Sequence, residues 1–454
     1  MAWFAFDWEH FAAAMEPIAW FMLSLPVFVF TILQPPQSRW WLLPFNIIPT
    51  VQSYQKANQL AAVPGLDWLM AFTSLIYIIH STSALYLERW TLTPSKKLSK
   101  AASTFAMLDA ATLRIALRAW MNPRRLRLAP DVERIPQLNR ACQTRVSSLR
   151  NPTGYESAGK GEFFIFAAKR IAQCLLLITI CFGIEAGILF MLFPGARDFR
   201  LQHQTYFPWM GPTIRPLIAI PTRGLRISWH TPLVGAVTFR VLVLRSVYAL
   251  HWAWLTYVIL TVVHSLLAVF FVSVLRVDRP QEWPSLFGNP SEAFTIRRFW
   301  SRFWHQINTP SLLAYGKMLS RKVLRMDQGS GVEKTFLAAW VFGVSVVIHA
   351  LVEAKTEPAV APTDGNAMAN IWRDGYFLGL NFAGGVMEIM FKRPLGKLDV
   401  NVHLKHPVGR VAARAICYVW VFAFFWCIVP PYQYPVQYKN AVQRTPFKVK
   451  MAKL

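Results

Sequence analysis

Six long apolar runs organise the chain: residues 17–33, 66–87, 163–193, 247–275, 335–353 and 411–430. Crossing the hydrocarbon layer of a bilayer takes about 20 mostly apolar residues in a helix, with about 17 as the lower bound. Each run meets that requirement. Two further stretches fit less well. "RWWLLPFNIIPTV", 39–51, is short and broken by Pro44 and Pro49, and 370–391 carries Arg373, Asp374 and Glu388. Charges of that kind need other helices or water beside them, because lipid does not tolerate them. The pattern predicts an all-α, polytopic integral membrane protein with about eight transmembrane helices. A shorter run, "PLVGAVTFRVLVL" at 232–244, is expected to be a re-entrant or interfacial element.

Composition agrees. Hydrophobic residues make up 54% of the 454 and charged residues 16%, against about 25% charged in an average soluble domain. The formal net charge of +25 would point a soluble protein towards nucleic acid. Here the cations lie between apolar runs, where topology and anionic lipid account for them, so the lipid bilayer is the expected partner and nucleic acid is not. Residues 88–162 hold 14 Lys and Arg against 6 acids, and 276–334 hold 10 against 5. Both segments are therefore expected in the cytosol, with 194–246 and 354–369 on the luminal side; the basic tail from Lys439 to Lys453 opposes the rule.

The expected organisation is one membrane domain over 1–454. It comprises N-terminal membrane helices (1–87), a cytosolic basic segment (88–162), membrane helices with a luminal loop (163–276), a catalytic core (277–431) and a basic tail (432–454). Within the basic segment, "LSKAASTFAMLDAATLRIALRAWMNP" reads as a helix lying on the membrane, with Phe105, Leu108 and Ile115 facing lipid, Arg114 and Arg118 facing headgroups, and Asn122 and Pro123 ending it. The N-terminal twenty residues contain no Lys or Arg and lack the basic region of a secretory signal, so they are expected to stay on the mature protein.

Several kinds of chemistry find no support. Neither a phosphate-cradling G-x-x-x-x-G-K-[ST] loop, nor a G-x-S-x-G nucleophile elbow, nor an H-E-x-x-H zinc helix occurs. The H-x-x-x-D spacing of soluble acyltransferases is missing too. Cys142, Cys174, Cys181, Cys417 and Cys427 form no C-x-x-C pair, so a disulfide framework or metal site is not expected and the cysteines read as small buried hydrophobes.

The histidines are more informative. His10, His203, His230, His403 and His406 fall in polar or loop contexts. His251 and His264 share a span but stand thirteen residues apart, nearly 20 Å at 1.5 Å per residue. His80, near the end of its run, could satisfy a backbone group. His349 is the only ionisable residue between Thr335 and Val352. It is either hydrogen-bonded between helices for packing, or a general base whose neutral ring accepts a proton in an apolar chamber. His305 closes a different kind of segment, Arg297, Arg298, Phe299, Trp300, Arg302, Phe303, Trp304. On an α-helix Phe299, Phe303 and Gln306 share one face, Trp300 and Trp304 another, and Arg298, Arg302 and His305 a third. Such a block can anchor at the headgroups, or its guanidinium groups can hold the phosphates of a cosubstrate.

The order of these motifs carries a resemblance. "EWPSLFGNPSEAFTIRRFWSRFWHQ", 282–306, followed by "VFGVSVVIHALVE", 341–353, resembles the wax synthase-like branch of the membrane-bound O-acyltransferase (MBOAT) superfamily. Within it the chain looks like fungal acetyltransferases of terpenoid and meroterpenoid metabolites. The matching features are the W-P-x-L-F-G-x-P entry, the F-W-x-R-F-W-H-Q block and the His-Ala-Leu of the next span, over 283–353.

The resemblance implies a helical bundle enclosing a tunnel that admits acyl-CoA from the cytosol and an alcohol from the bilayer or the opposite side, in the endoplasmic reticulum. The intramembrane family histidine maps onto His349. The second family position, commonly Asn in sterol and diacylglycerol acyltransferases, is His305 here. The expected reaction moves an acetyl group from acetyl-CoA, a cosubstrate rather than a bound cofactor, to a hydroxyl of a hydrophobic alcohol. His349 would be the base and His305, or an amide near it, a donor to the oxyanion. Arg297, Arg298, Arg302 and Trp304 would hold the CoA. A long-chain wax ester or sterol acyltransferase is the nearest alternative, and a transporter lined by 370–391, with Gly375, Gly379, Gly384 and Gly385, is the alternative from another class.

Overall fold

The computed structural model describes residues 8–63, 65–92, 110–125, 132–133, 160–192, 232–234, 237–356, 367–395 and 407–451. Among them the helices are α1 (Trp8–Leu33), α2 (Leu43–Lys56), α3 (Leu66–Thr82), α4 (Ala110–Trp120), α5 (Lys160–Ile178), α6 (Ala186–Leu192), α7 (Phe239–Val269), α8 (Ile296–Arg298), α9 (Thr309–Met318), α10 (Gly331–Thr356), α11 (Ala367–Leu395) and α12 (Pro407–Met451). Two very short antiparallel ladders, Thr91–Leu92 with Val132–Glu133 and Pro232–Val234 with Val237–Thr238, are the strand pairing present in this part of the chain. The protein is thus a helical, polytopic membrane protein.

Six segments among the described residues are long and apolar enough to cross a membrane: Ala12–Leu33, Leu66–Leu87, Gly161–Leu189, Phe239–Val274, Gly331–Thr356 and Val411–Gln437. They coincide with the six clear runs. The other two expected spans differ. α2 has 14 residues, about 21 Å at 1.5 Å per residue, short of a ~30 Å hydrocarbon layer. α11 is long enough, at 29 residues, but its charges keep it outside the apolar set. Nor is 232–244 a separate element, because Phe239 already begins α7 and the helix continues without a break into the span. Lipid-facing side chains are apolar and exposed, as on Leu175 and Leu176 of α5 and Ile416 and Val419 of α12. A soluble protein would avoid this; a bilayer solvates it.

The chain forms two compact units. One comprises Met1–Ser157 and Gln306–Leu378, the other Ala158–His305 and Gly379–Leu454.

In the first unit α1 packs on α2, α2 on α3 and α3 on α10. Its core joins Phe21, Phe28 and Ile32 of α1 to Tyr77, Leu85 and Trp90, and to Ala116, Ala119 and Trp120 of α4. Here an expectation fails. α4 ends at Trp120, just before Asn122 and Pro123, but it inserts that face into the bundle core instead of lying on the membrane; Phe105 and Leu108 fall outside the described residues. Between helices, where lipid offers no hydrophobic drive to associate, small polar groups supply specificity. Asn46 donates to Thr31 Oγ1 at 2.8 Å, Ser74 to Ser53 Oγ at 3.1 Å, and Ser53 to the Pro17 carbonyl at 2.8 Å. Arg39, fully buried, donates to the carbonyls of Ile32, Gln34, Leu85 and Trp90 at 2.6–3.2 Å. The Ile32, Gln34 and Leu85 oxygens lie at helix ends and that of Trp90 just before a strand, so one cation ties two chain segments together.

At the start of α10, Ser330 and Glu333 form a capping pair. Ser330 Oγ accepts from the Glu333 amide at 3.0 Å, and the buried Glu333 carboxylate accepts from Arg321 Nε and the Gly329 amide, both at 2.5 Å. Trp340, one face along, donates to the Leu312 carbonyl at 3.0 Å and packs on Gly316, fixing α9 against α10. In the second unit α5 and α12 both pack on α7.

Candidate active site

His349 lies on α10 in the first unit, between the buried Ile348 and Ala350. Its ring meets Phe72 of α3 edge-on, centroids 4.9 Å apart and planes at 73°. Tyr54 of α2 donates to the Leu351 carbonyl at 2.8 Å, so two helices, α2 and α3, set the position of this turn of α10. Among the described residues neither ring nitrogen of His349 makes a hydrogen bond. His80 does satisfy a backbone group, as its place near the end of its run suggested. His80, fully buried, places Nε2 2.9 Å from the Ala119 carbonyl and is surrounded by Phe28, Tyr77 and Trp90. Near it, Tyr315 of α9 donates to Thr82 Oγ1 at 2.6 Å, and burial pushes its phenol pKa up.

One helical turn beyond His349, Glu353 pairs with Arg373 of α11, and Arg373 Nε lies 3.8 Å from Asp374. The Arg373 cation of the less apolar span thus has its acid within the same unit. The glycines of this span differ in their surroundings. A methyl at Gly375 would meet only Val346, at 3.9 Å, and Gly379 and Gly385 have open space, whereas Gly384, in the second unit, would meet Ile296 at 2.8 Å and Phe424 at 2.9 Å.

The aromatic and cationic block lies in the second unit. Thr295 caps it, accepting from the Arg298 amide at 3.1 Å. The Glu388 carboxylate accepts from the Ile296 and Arg297 amides at 2.6 and 3.0 Å, and Trp420 donates to it at 3.2 Å. A carboxylate on the first amides of a helical turn satisfies donors that have no partner within the turn. After α8 the backbone widens into a π-turn, Phe299–Phe303, and Trp304 then turns extended, with its amide bonded to the Phe299 carbonyl at 2.7 Å. The α-helical faces drawn from sequence therefore do not apply. His305 lies past the end of the helix and does not share a face with Arg298 and Arg302.

Gly288 makes that turn possible. Its amide donates to the Phe303 carbonyl at 2.8 Å, and a Cβ there would overlap the Arg302 carbonyl. The rest of the W-P-x-L-F-G entry is held as firmly. Trp283 donates to Asp278 at 3.0 Å, accepts at its carbonyl from Arg170 at 2.7 Å, and stacks on Phe271. Phe287 is buried against Tyr257, Trp304 and His305.

The other candidates are placed as follows. Trp304 is 8% exposed and packs with Trp252, Phe299 and Phe287. Its indole belongs to an internal aromatic cluster that also takes in Phe425. Trp300 donates to Asn381 Oδ1 at 2.9 Å. Arg298 pairs with Glu292 and lies over the Phe294 ring, 4.5 Å from its centroid. Arg297 and Arg302 are exposed. The His305 ring stands 5.6 Å from Phe287 and 5.3 Å from Trp304.

The matching of known proteins falls on this same stretch. Residues 283–369, from Trp283 through the π-turn and His349, match the model of the membrane bound O-acyl transferase family. Over this stretch the chain is similar to that family. Its relatives include acetyltransferase ataH of Aspergillus terreus, 27% identical over 162 residues, covering 36% of this chain and 49% of that protein. Acetyltransferase TRI7 of Fusarium sporotrichioides is 35% identical over 175 residues, 38% of this chain and 37% of that protein. Acetyltransferase pyr8 of Aspergillus fumigatus is 29% identical over 194 residues, 42% and 41% respectively. The chain thus spans half or less of the length of these curated relatives. No solved structure matches it.

The sequence marked Glu388 only as a charge that needs a partner and Gly288 only as part of a motif, and did not mark Phe72, although these groups shape the two candidate regions. For Glu388 a signal existed: a carboxylate in a largely apolar helix requires a partner. Phe72 carried none, being one aromatic among many.

Proposed function

We propose that the protein is an O-acetyltransferase that moves the acetyl group of acetyl-CoA to a hydroxyl of a hydrophobic alcohol of terpenoid or meroterpenoid type, with His349 as general base. The alcohol oxygen attacks the thioester carbonyl carbon while its proton passes to a ring nitrogen of His349. The tetrahedral intermediate collapses with cleavage of the C–S bond. The thiolate of CoA leaves and recovers the proton from the imidazolium, giving the acetate ester and free CoA with no covalent enzyme intermediate. The observation that carries this reading is His349 itself: an ionisable side chain on a membrane-crossing helix, steered by Phe72 and with both nitrogens unused among the described residues. A membrane protein keeps such a residue at a cost of kcal/mol, which function, rather than packing, offsets.

The acetyl group follows the relatives, each of which is an acetyltransferase. The hydrophobic acceptor follows from where the base sits, because an alcohol that reaches a span partitions into lipid. Exclusion of water, the competing nucleophile, is the return on doing the chemistry there. Exposed Arg297 and Arg302 are the cations offered to the phosphates of CoA, and the endoplasmic reticulum is the proposed membrane. Incubating membranes that contain the protein with acetyl-CoA and a panel of terpenoid alcohols tests the reading. One added acetyl on an alcohol, with equal release of CoA, is expected. CoA release without an esterified product, or neither, contradicts it.

A further inference from the structure

A second ionisable pair lies inside the membrane, in the unit made of 158–305 and 379–454, and the acetyl-transfer steps do not use it. Glu185 is the single charged residue between Arg170 and Leu192. Its Oε1 lies 2.8 Å from Nδ1 of His251 on α7, with side chains 24% and 12% exposed. Oε2 of the same carboxylate is buried and accepts no hydrogen bond among the described residues. The backbone carrying it is a π-turn, Thr179–Glu185, inside an otherwise α-helical span. Tyr248 stands edge-on to His251 at 5.4 Å, and Cys181, at the middle of the π-turn, is buried. Around them Phe182, Ile184 and Ile188 are more than half exposed, as lipid-facing residues are.

As a mere pin between helices this pair is an expensive choice. A carboxylate in such surroundings costs kcal/mol, and an apolar contact would hold α5 to α7 more cheaply. Oε2, moreover, is left out of the pairing with His251, with the weakly donating Cys181 thiol beside the carboxylate. In the neutral ring the contact fixes the tautomer: facing a carboxylate, Nδ1 carries the proton and donates it, so Nε2 is an acceptor. The pair therefore presents two acceptors, Nε2 and Oε2, and no donor from these two groups. A thioester carbonyl has nothing to give such a pair, whereas a hydroxyl has the one proton it needs. A ligand reaching it through lipid must be hydrophobic. We propose that Glu185 and His251 form an intramembrane binding site for the hydroxyl of a hydrophobic alcohol, with Glu185 fixing the His251 tautomer. That the alcohol is the acetyl acceptor rests on the function proposed above; that the pair binds a hydroxyl does not.

The test needs no acetyl-CoA. Diethylpyrocarbonate acylates an accessible neutral imidazole nitrogen, and mass spectrometry of the peptide carrying His251 reads the rate. With the full-length protein in lipid nanodiscs, farnesol is expected to slow labelling of His251 about tenfold when its concentration is about ten times its Kd. Farnesane, the alkane of the same skeleton, leaves the rate unchanged. Glu185→Gln, which keeps a partner for Nδ1 but replaces the acceptor Oε2 by a donor, is expected to weaken the protection while eluting as the wild type does. Equal protection by the alkane, labelling indifferent to farnesol, no labelling at all, or full protection in Glu185→Gln would each overturn the proposal. Acetyl transfer measured in parallel separates the two readings, since failure of protection leaves the role of His349 standing.

Discussion

The His349 ring stands edge-on to Phe72, centroids 4.9 Å apart and planes at 73°. His80, in the same unit, is instead tied to the Ala119 carbonyl at 2.9 Å. One histidine is held by a hydrogen bond and the other is steered by an aromatic edge that leaves its nitrogens unused. An edge-to-face pair contributes about 0.5–1.5 kcal/mol beyond its buried area. If Phe72 orients the base, Phe72→Leu lowers kcat for acetyl transfer roughly three- to tenfold and leaves the KM for acetyl-CoA unchanged. Steady-state kinetics on solubilised protein checks this, and a change confined to KM speaks against an orienting role.

Gly288 packs under the carbonyl of Arg302, where a Cβ has no room. Gly288→Ala must displace the π-turn that positions Phe299, Trp300 and Phe303. Overpacking of this kind costs about 1–3 kcal/mol. The measurement is the midpoint of thermal unfolding in detergent, expected to fall, together with acetyl transfer.

Glu388 accepts from two backbone amides at the start of the same block. Glu388→Gln retains one acceptor oxygen and loses the negative charge, for a cost of about 1 kcal/mol. The account expects a modest drop in the unfolding midpoint and a raised KM for acetyl-CoA, through displacement of Arg297 and Arg302.

Those two arginines are exposed, whereas Arg298 is paired with Glu292. Replacing Arg297 and Arg302 together by Gln is expected to raise the KM for acetyl-CoA roughly tenfold, since two charge-assisted contacts to phosphate are lost. The KM for the alcohol should not move. Arg298→Gln should act mainly on stability, and the contrast between the two variants distinguishes cosubstrate binding from local packing.

Much of the helical framework was legible in the chain. Six spans follow from hydropathy, because an apolar run of bilayer length has few other stable fates. The likeness to the membrane bound O-acyl transferase family was legible in the W-P-x-L-F-G-x-P and F-W-x-R-F-W-H-Q blocks. What stayed hidden depends on partners remote in sequence or on backbone geometry. The register of Phe299–Phe303 follows a π-turn fixed by Gly288, so a 3.6-residue period assigned its faces wrongly. Pro44 and Pro49 marked 39–51 as doubtful, but only the 14-residue length of α2 removes it from the spans. α4 read as amphipathic, and the apolar face drawn for lipid is buried against α1 and α3 instead, because amphipathicity says that a face will be covered and not by what. Glu185 and His251 are 66 positions apart, and no local pattern links them. Gly384 sits among four glycines of one helix, and only the approach of Ile296 and Phe424 distinguishes it.

The most direct measurement is acetyl transfer by His349→Asn, in membranes matched for protein abundance, with acetyl-CoA and an accepted alcohol. Removing a general base costs about 10²–10⁴-fold in rate. The account predicts a loss of that size in kcat, with normal insertion and an unfolding midpoint close to that of the wild type. Transfer within a few-fold of the wild-type rate would contradict it.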